Sequence, residues 1–277
     1  MKALNIVLRA SGVFVATVIF QALSEIVIPI KGPAIPHLAQ WAILSSALVT
    51  ATLTVLALRS DWRGWKLGAA VAVIPMAIAA VNLLEGAVFL TNTNLQWGRI
   101  FSVTLLSYAL TIPVWALLFG RREIVPEHYR PLESKSAGER AWKFAVSDFS
   151  YLFLYYAAGT IIFPYVKDFY ATQHLPSTGS LIALQLLIRG PVFVVLCLAI
   201  TRMLGLSRIS GALAAGAIFT LLSGVAPLLI PSPVFPDSVR WVHFAEVTGS
   251  NFVFGVIVGW LWGQPKLSHS PALAQAA

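Results

Sequence analysis

One residue in the 277 is cysteine, and 11% are charged, against about 25% in an ordinary soluble domain. The lone Cys197 excludes an intramolecular disulfide and any cysteine cluster for a metal. The scarcity of charge excludes a solvated globule. No Walker loop is present, nor the paired helical histidines of zincins, nor the paired glutamates of CPBP-type membrane proteases. The segment "TGSN", Thr248 to Asn251, lacks the glycine after serine that rhomboid-type proteases carry. "LPSTG", Leu175 to Gly179, matches a sortase sorting pattern, but a true signal ends with one apolar span and a basic tail, and here three further apolar stretches follow. No cofactor and no metal site is expected.

What is there is oil: 58% of the residues are hydrophobic. Eight apolar stretches come close to the roughly 20 residues with which a helix crosses about 30 Å of hydrocarbon. They run over 6–29, 37–58, 67–90, 99–119, 142–166, 179–201, 207–230 and 240–262. The runs are continuous instead of ten-residue alternations, and lipid requires every backbone group to be satisfied internally, so helices are expected and barrel strands are not. The fold class is all-α, a polytopic integral membrane protein whose standing partner is the lipid bilayer. The first stretch, with Lys2 and Arg9 ahead of it and Gln21 and Glu25 inside it, reads as an uncleaved signal anchor.

A net charge of +8 could suit nucleic acid, but Lys and Arg concentrate in the cytoplasmic loops of multispanning proteins, so nucleic acid is not an expected partner. With both termini in the cytoplasm, 14 Lys and Arg fall inside, 4 outside (Lys31, Arg99, Lys167, Arg240) and Arg189 mid-span, which accounts for all 19. A bacterial cytoplasmic (inner) membrane is the expected location. Trp62, Trp65, Trp115, Trp142, Trp260 and Trp262 fall near the inner boundary, and Trp41, Trp97 and Trp241 near the outer one, as headgroup belts do.

The polar stretch Arg121 to Arg140 divides the chain into a first four-helix set, 1–120, a cytoplasmic linker, 121–140, a second set, 141–263, and a disordered tail, 264–277. A shift of 143 residues superposes the sets, matching Arg59 with Arg202, Gly68 with Gly211 and Gly120 with Gly263, as a parallel duplication would; common membrane residues can also match by chance. Pro75, Pro113, Pro191 and Pro227 lie inside spans and predict kinks. "SGALAAGA", Ser210 to Ala217, predicts a closely packed seventh helix.

Polar groups gather in the outer half. In the eighth span a 100° step places His243, Glu246 and Ser250 within about 60° of one another, with Arg240 and Asn251 on the adjoining edge. Gln21 and Glu25 form an i, i+4 pair, and Asn82 and Glu85 an i, i+3 pair. Arg189 sits near the midplane, where a lone charge costs about 2.5–3.5 kcal/mol, so an acidic partner is expected, Glu246 before Glu85 or Glu25. Asp148, nearer the inner face, is expected to pair with Arg140 or Lys143. An outward-facing pocket of Arg189, Glu246, His243, Glu85, Glu25, Asn251 and Asn82 follows. Its bland alternative is hydrated interfacial charges and one structural ion pair.

Three function classes fit such a pocket. One is transport or permeation of a small solute or ion. Another is a membrane-embedded enzyme acting on a lipid or amphiphile through His243 and Glu246, with a metal if Glu25 or Glu85 joined them. The third is a non-catalytic sensor or assembly protein, docking through the linker.

Overall fold

In the computed structural model, residues 3–30, 35–90, 95–120, 136–173, 175–232 and 235–263 are described. Most of the linker and the whole tail lie outside them. Among the described residues eight helices are long and apolar enough to span a membrane: α1 Ala3–Val27, α2 Leu38–Arg59, α3 Gly64–Phe89, α4 Trp97–Phe119, α5 Ala137–Tyr170, α6 Thr178–Leu204, α7 Arg208–Leu229 and α8 Asp237–Trp262. No strand occurs among the described residues.

The helix starts are written locally. Ser136 and Glu139 have the spacing of a capping box, and Ser136 Oγ accepts from the Glu139 N–H at 3.1 Å to start α5. Ser177, inside the sortase-like motif, does the same for α6, accepting from Ser180 N–H at 3.2 Å. That motif is an N-cap. Gly205, at φ 55°, turns α6 into α7 in the left-handed conformation that glycine adopts without a Cβ penalty.

The closest helix pairs are α3–α4 and α7–α8, while α1 lies on α4 as α5 lies on α8. Backbone contact sets both tight seams. A Cβ at Gly68 would meet the Ile112 carbonyl at 2.5 Å, and one at Gly255 would meet the Gly216 Cα at 2.7 Å. α7, carrying the small-residue run, is the most buried helix and α1 the least.

Two belt assignments are corrected. Trp115 is buried in the core against Phe119, ring centroids 5.3 Å apart, because α4 turns this face inward, and Trp262 is buried where its Nε1–H donates to Ser147 Oγ at 3.3 Å. Trp65, Trp142, Trp241 and Trp260 are exposed.

The prolines act differently from one another. Pro75 and Pro113 stay inside regular helix. Pro191 and Pro227 each follow a one-turn widening to i→i+5 bonding, over Gln185–Arg189 and Leu221–Val225. In both, the residue before proline donates five residues back, Gly190 to the Gln185 carbonyl and Ala226 to the Leu221 carbonyl. Proline has no N–H and its ring crowds the preceding turn, so the helix relaxes by widening. Both wide turns face the same cavity.

Candidate functional site

The cavity, about 220 Å³, lies between α3, α5, α6, α7 and α8, toward the bundle end where α3 and α5 finish and α8 begins. Its walls include Asn82, Glu85, Arg189, His243, Glu246 and Asn251. Six of the seven expected residues thus surround one space.

Glu25 does not. It is exposed on α1, which packs on α2 and α4 at the rim, and it accepts from Gln21 Nε2 at 2.7 Å. Arg240 also leaves the stripe. It donates to the Leu228 and Leu229 carbonyls at 3.0 and 3.1 Å and pairs with Asp237 at 2.9 Å, capping the end of α7 where the last helical carbonyls lack donors.

Two polar clusters face the cavity. In one, Arg189 Nη1 pairs with Glu85 Oε2, and Arg189 Nη2 donates to Asn82 Oδ1 at 2.8 Å. Gln185, one turn before Arg189, donates from Nε2 to Glu85 Oε1 at 3.0 Å. Asn82 Nδ2 reaches the Ser223 carbonyl at 3.4 Å, the acceptor to which Pro227 cannot donate. The widened turns thereby tie the ion pair to α7. The Arg189 guanidinium carbon also lies 5.1 Å from the Phe193 ring centroid and 5.9 Å from that of Tyr151.

The expectation that Glu246 is the first partner of Arg189 is therefore corrected to Glu85. Glu246 is engaged in the second cluster: its Oε2 lies 2.6 Å from His243 Nδ1, and His243 Nε2 lies 2.9 Å from the Tyr170 hydroxyl. Neutral histidine satisfies both contacts if Nδ1–H donates to the carboxylate and Tyr170 O–H donates to Nε2. Asn251, buried, donates to Ser223 Oγ at 2.8 Å and joins α8 to α7. Ser250 bonds back to the Glu246 carbonyl at 2.9 Å, an ordinary helix contact.

Sequence reading missed Tyr170, Gln185 and Ser223. Gln185 could have been found as the i−4 neighbour of Arg189, and Ser223 as the residue whose carbonyl Pro227 strands. Nothing local marks Tyr170, which arrives from the end of α5. A metal reading finds no support in the geometry: among the described residues no group of three or more His, Cys, Asp or Glu is placed to hold one.

Asp148 is also corrected. Lys143 pairs with Glu139 at 2.8 Å, while Asp148 is buried and its Oδ1 has no hydrogen-bond partner among the described residues. That oxygen sits on the backbone of Gly190, where a Cβ would overlap it. Gly190→Ala is expected to cost about 1–3 kcal/mol through overpacking, and Asp148→Ala in the same chain to recover most of it. Melting of the purified protein checks this; no recovery in the double variant would place the clash elsewhere.

Comparison with protein-family models, curated proteins and solved structures returns no match.

Proposed function

We propose that the cavity is the binding site of a transporter or permeation protein for a small solute or ion. The carrying observation is one space, flanked by two widened helix turns, onto which a buried ion pair and a Tyr–His–Glu chain converge. Ionisable groups are costly within a bilayer and mark solute pathways, and widened turns at proline give α6 and α7 places to bend. The Lys and Arg asymmetry supports a cytoplasmic membrane with both termini inside and the cavity facing out. The recurring α3–α4 and α7–α8 seams support reading the two four-helix sets as related copies, with the polar clusters as later asymmetric additions.

Uptake of labelled amines, amino acids, carboxylates and sugars into proteoliposomes tests this. At least one is expected to enter faster than into protein-free vesicles. Ser250→Trp, which places an indole in the cavity without altering charge, is expected to return that flux to the leak. Leak-level flux for every solute with folded protein, or full flux through Ser250→Trp, overturns the reading.

The Tyr170–His243–Glu246 geometry favours one second reading, a membrane-embedded enzyme with His243 as general base oriented by Glu246. Cleavage of a fluorogenic amphiphilic ester, lost in His243→Gln, would support it.

A further inference from the structure

We propose that the cavity takes a small organic monocation, an amine or quaternary ammonium with a short apolar body. This names the solute class of the binding site proposed above and rests on that reading.

The walls supply the first argument. Phe89 of α3, Tyr151, Tyr155 and Tyr170 of α5, and Phe235 ahead of α8 all line the space. Phe89 and Tyr170 meet at 6.4 Å and 63°, Tyr170 and His243 at 5.9 Å and 79°, and Phe235 and His243 at 5.4 Å and 57°. Five aromatic rings on one small space supply it with π surface, whose faces carry the negative part of the aromatic quadrupole. A cation over such faces is attracted, and alkylated ammonium groups gain most because they shed water easily.

Charge gives the same sign. Among the described residues the lining holds two carboxylates, Glu85 and Glu246, against the one guanidinium of Arg189, which Glu85 already pairs. His243 takes Oε2 of Glu246, which leaves Oε1 for a ligand. An anion is less well served: Arg189 is already paired with Glu85 and bonded to Asn82, so an anion would meet a largely compensated cation in a space that also holds two carboxylates. The volume, about 220 Å³, limits the guest to a head group with a few carbons.

Titration calorimetry of the detergent-purified protein with three ligands of one shape tests the proposal: choline, its uncharged carbon analogue 3,3-dimethylbutanol, and the anion 3,3-dimethylbutyrate. Choline is expected to bind about tenfold more tightly than the alcohol, with the anion weakest. Glu246→Gln should bring choline down to the level of the alcohol while leaving the alcohol unchanged. Tyr155→Phe should keep the preference, and Tyr155→Leu should reduce it several-fold. Equal or tighter binding of the alcohol or the anion overturns the cation assignment and leaves the binding site standing. Choline binding without choline flux in proteoliposomes supports the assignment and removes transport. No binding of any of the three to folded protein overturns the cation assignment, and the binding site itself falls only if every solute also moves at the leak rate in proteoliposomes.

Discussion

Glu85→Ala is expected to cost about 3–5 kcal/mol, the penalty for leaving one member of a buried ion pair uncompensated. Arg189 is only 7% exposed and, with a guanidinium that does not give up its proton inside a protein, cannot escape by neutralising. Asn82 contributes one neutral acceptor, and Glu246 is committed to His243. The melting temperature should fall by about 10 °C, given roughly 2–4 °C per kcal/mol for a chain of this size. Cys197, fully buried and alone, provides the readout, since a thiol-reactive dye labels it only on unfolding. Glu85→Gln should do less harm, because an amide oxygen still accepts from Arg189 although the charge is gone. Glu85→Leu with Arg189→Met should recover much of the loss, since a buried pair replaced by apolar groups of like volume is often neutral. A Glu85→Ala protein melting within 2 °C of the parent would mean that water, not Glu85, compensates Arg189.

The division between what was legible in the sequence and what was not follows the range of the forces. Span number and position depend on transfer of about 20 contiguous residues into oil, so helix ends lie within a few residues of the apolar runs; α5 departs most, beginning at Ala137 where Ser136 caps it. The gathering of polar groups near one bundle end was also readable, because Asn82, Glu85, Arg189, His243 and Glu246 interrupt runs at comparable depth. Pair identity was not. It depends on how each helix is rotated about its own axis, which side-chain packing decides. Glu246 has a histidine one turn away on its own helix, and that local contact, joined by Tyr170, leaves Arg189 to Glu85. Asp148 was misplaced for the same reason: Lys143 has Glu139 at i−4, and Asp148 fits the gap over Gly190. In each case a partner within one helical turn was chosen over a more distant one.

Glu246→Gln is expected to reduce solute flux by about 100-fold, equivalent to about 2.8 kcal/mol at 1.4 kcal/mol per decade, without unfolding the protein. The substitution is nearly isosteric, and its amide oxygen can still accept from His243 Nδ1–H, so the geometry of the chain to Tyr170 survives and only the charge is removed. Loss of a buried charge from a recognition contact costs about 2–5 kcal/mol, which brackets that figure. Tyr170→Phe makes the informative contrast. It deletes the hydroxyl facing His243 Nε2 and leaves a ring of nearly the same shape against Phe89, so it withdraws one hydrogen bond, worth about 0.5–1.5 kcal/mol, and should slow flux about tenfold or less. The ordering separates two uses of the same three residues. If the carboxylate supplies charge to a passing solute, Glu246→Gln is the worse variant by about a decade. If the three instead relay protons to a reacting bond, cutting the chain at either end stops it, and Tyr170→Phe should be as damaging as Glu246→Gln. Equal losses would therefore overturn permeation in favour of catalysis, and undiminished flux in Glu246→Gln would show that the solute passes without using the carboxylate.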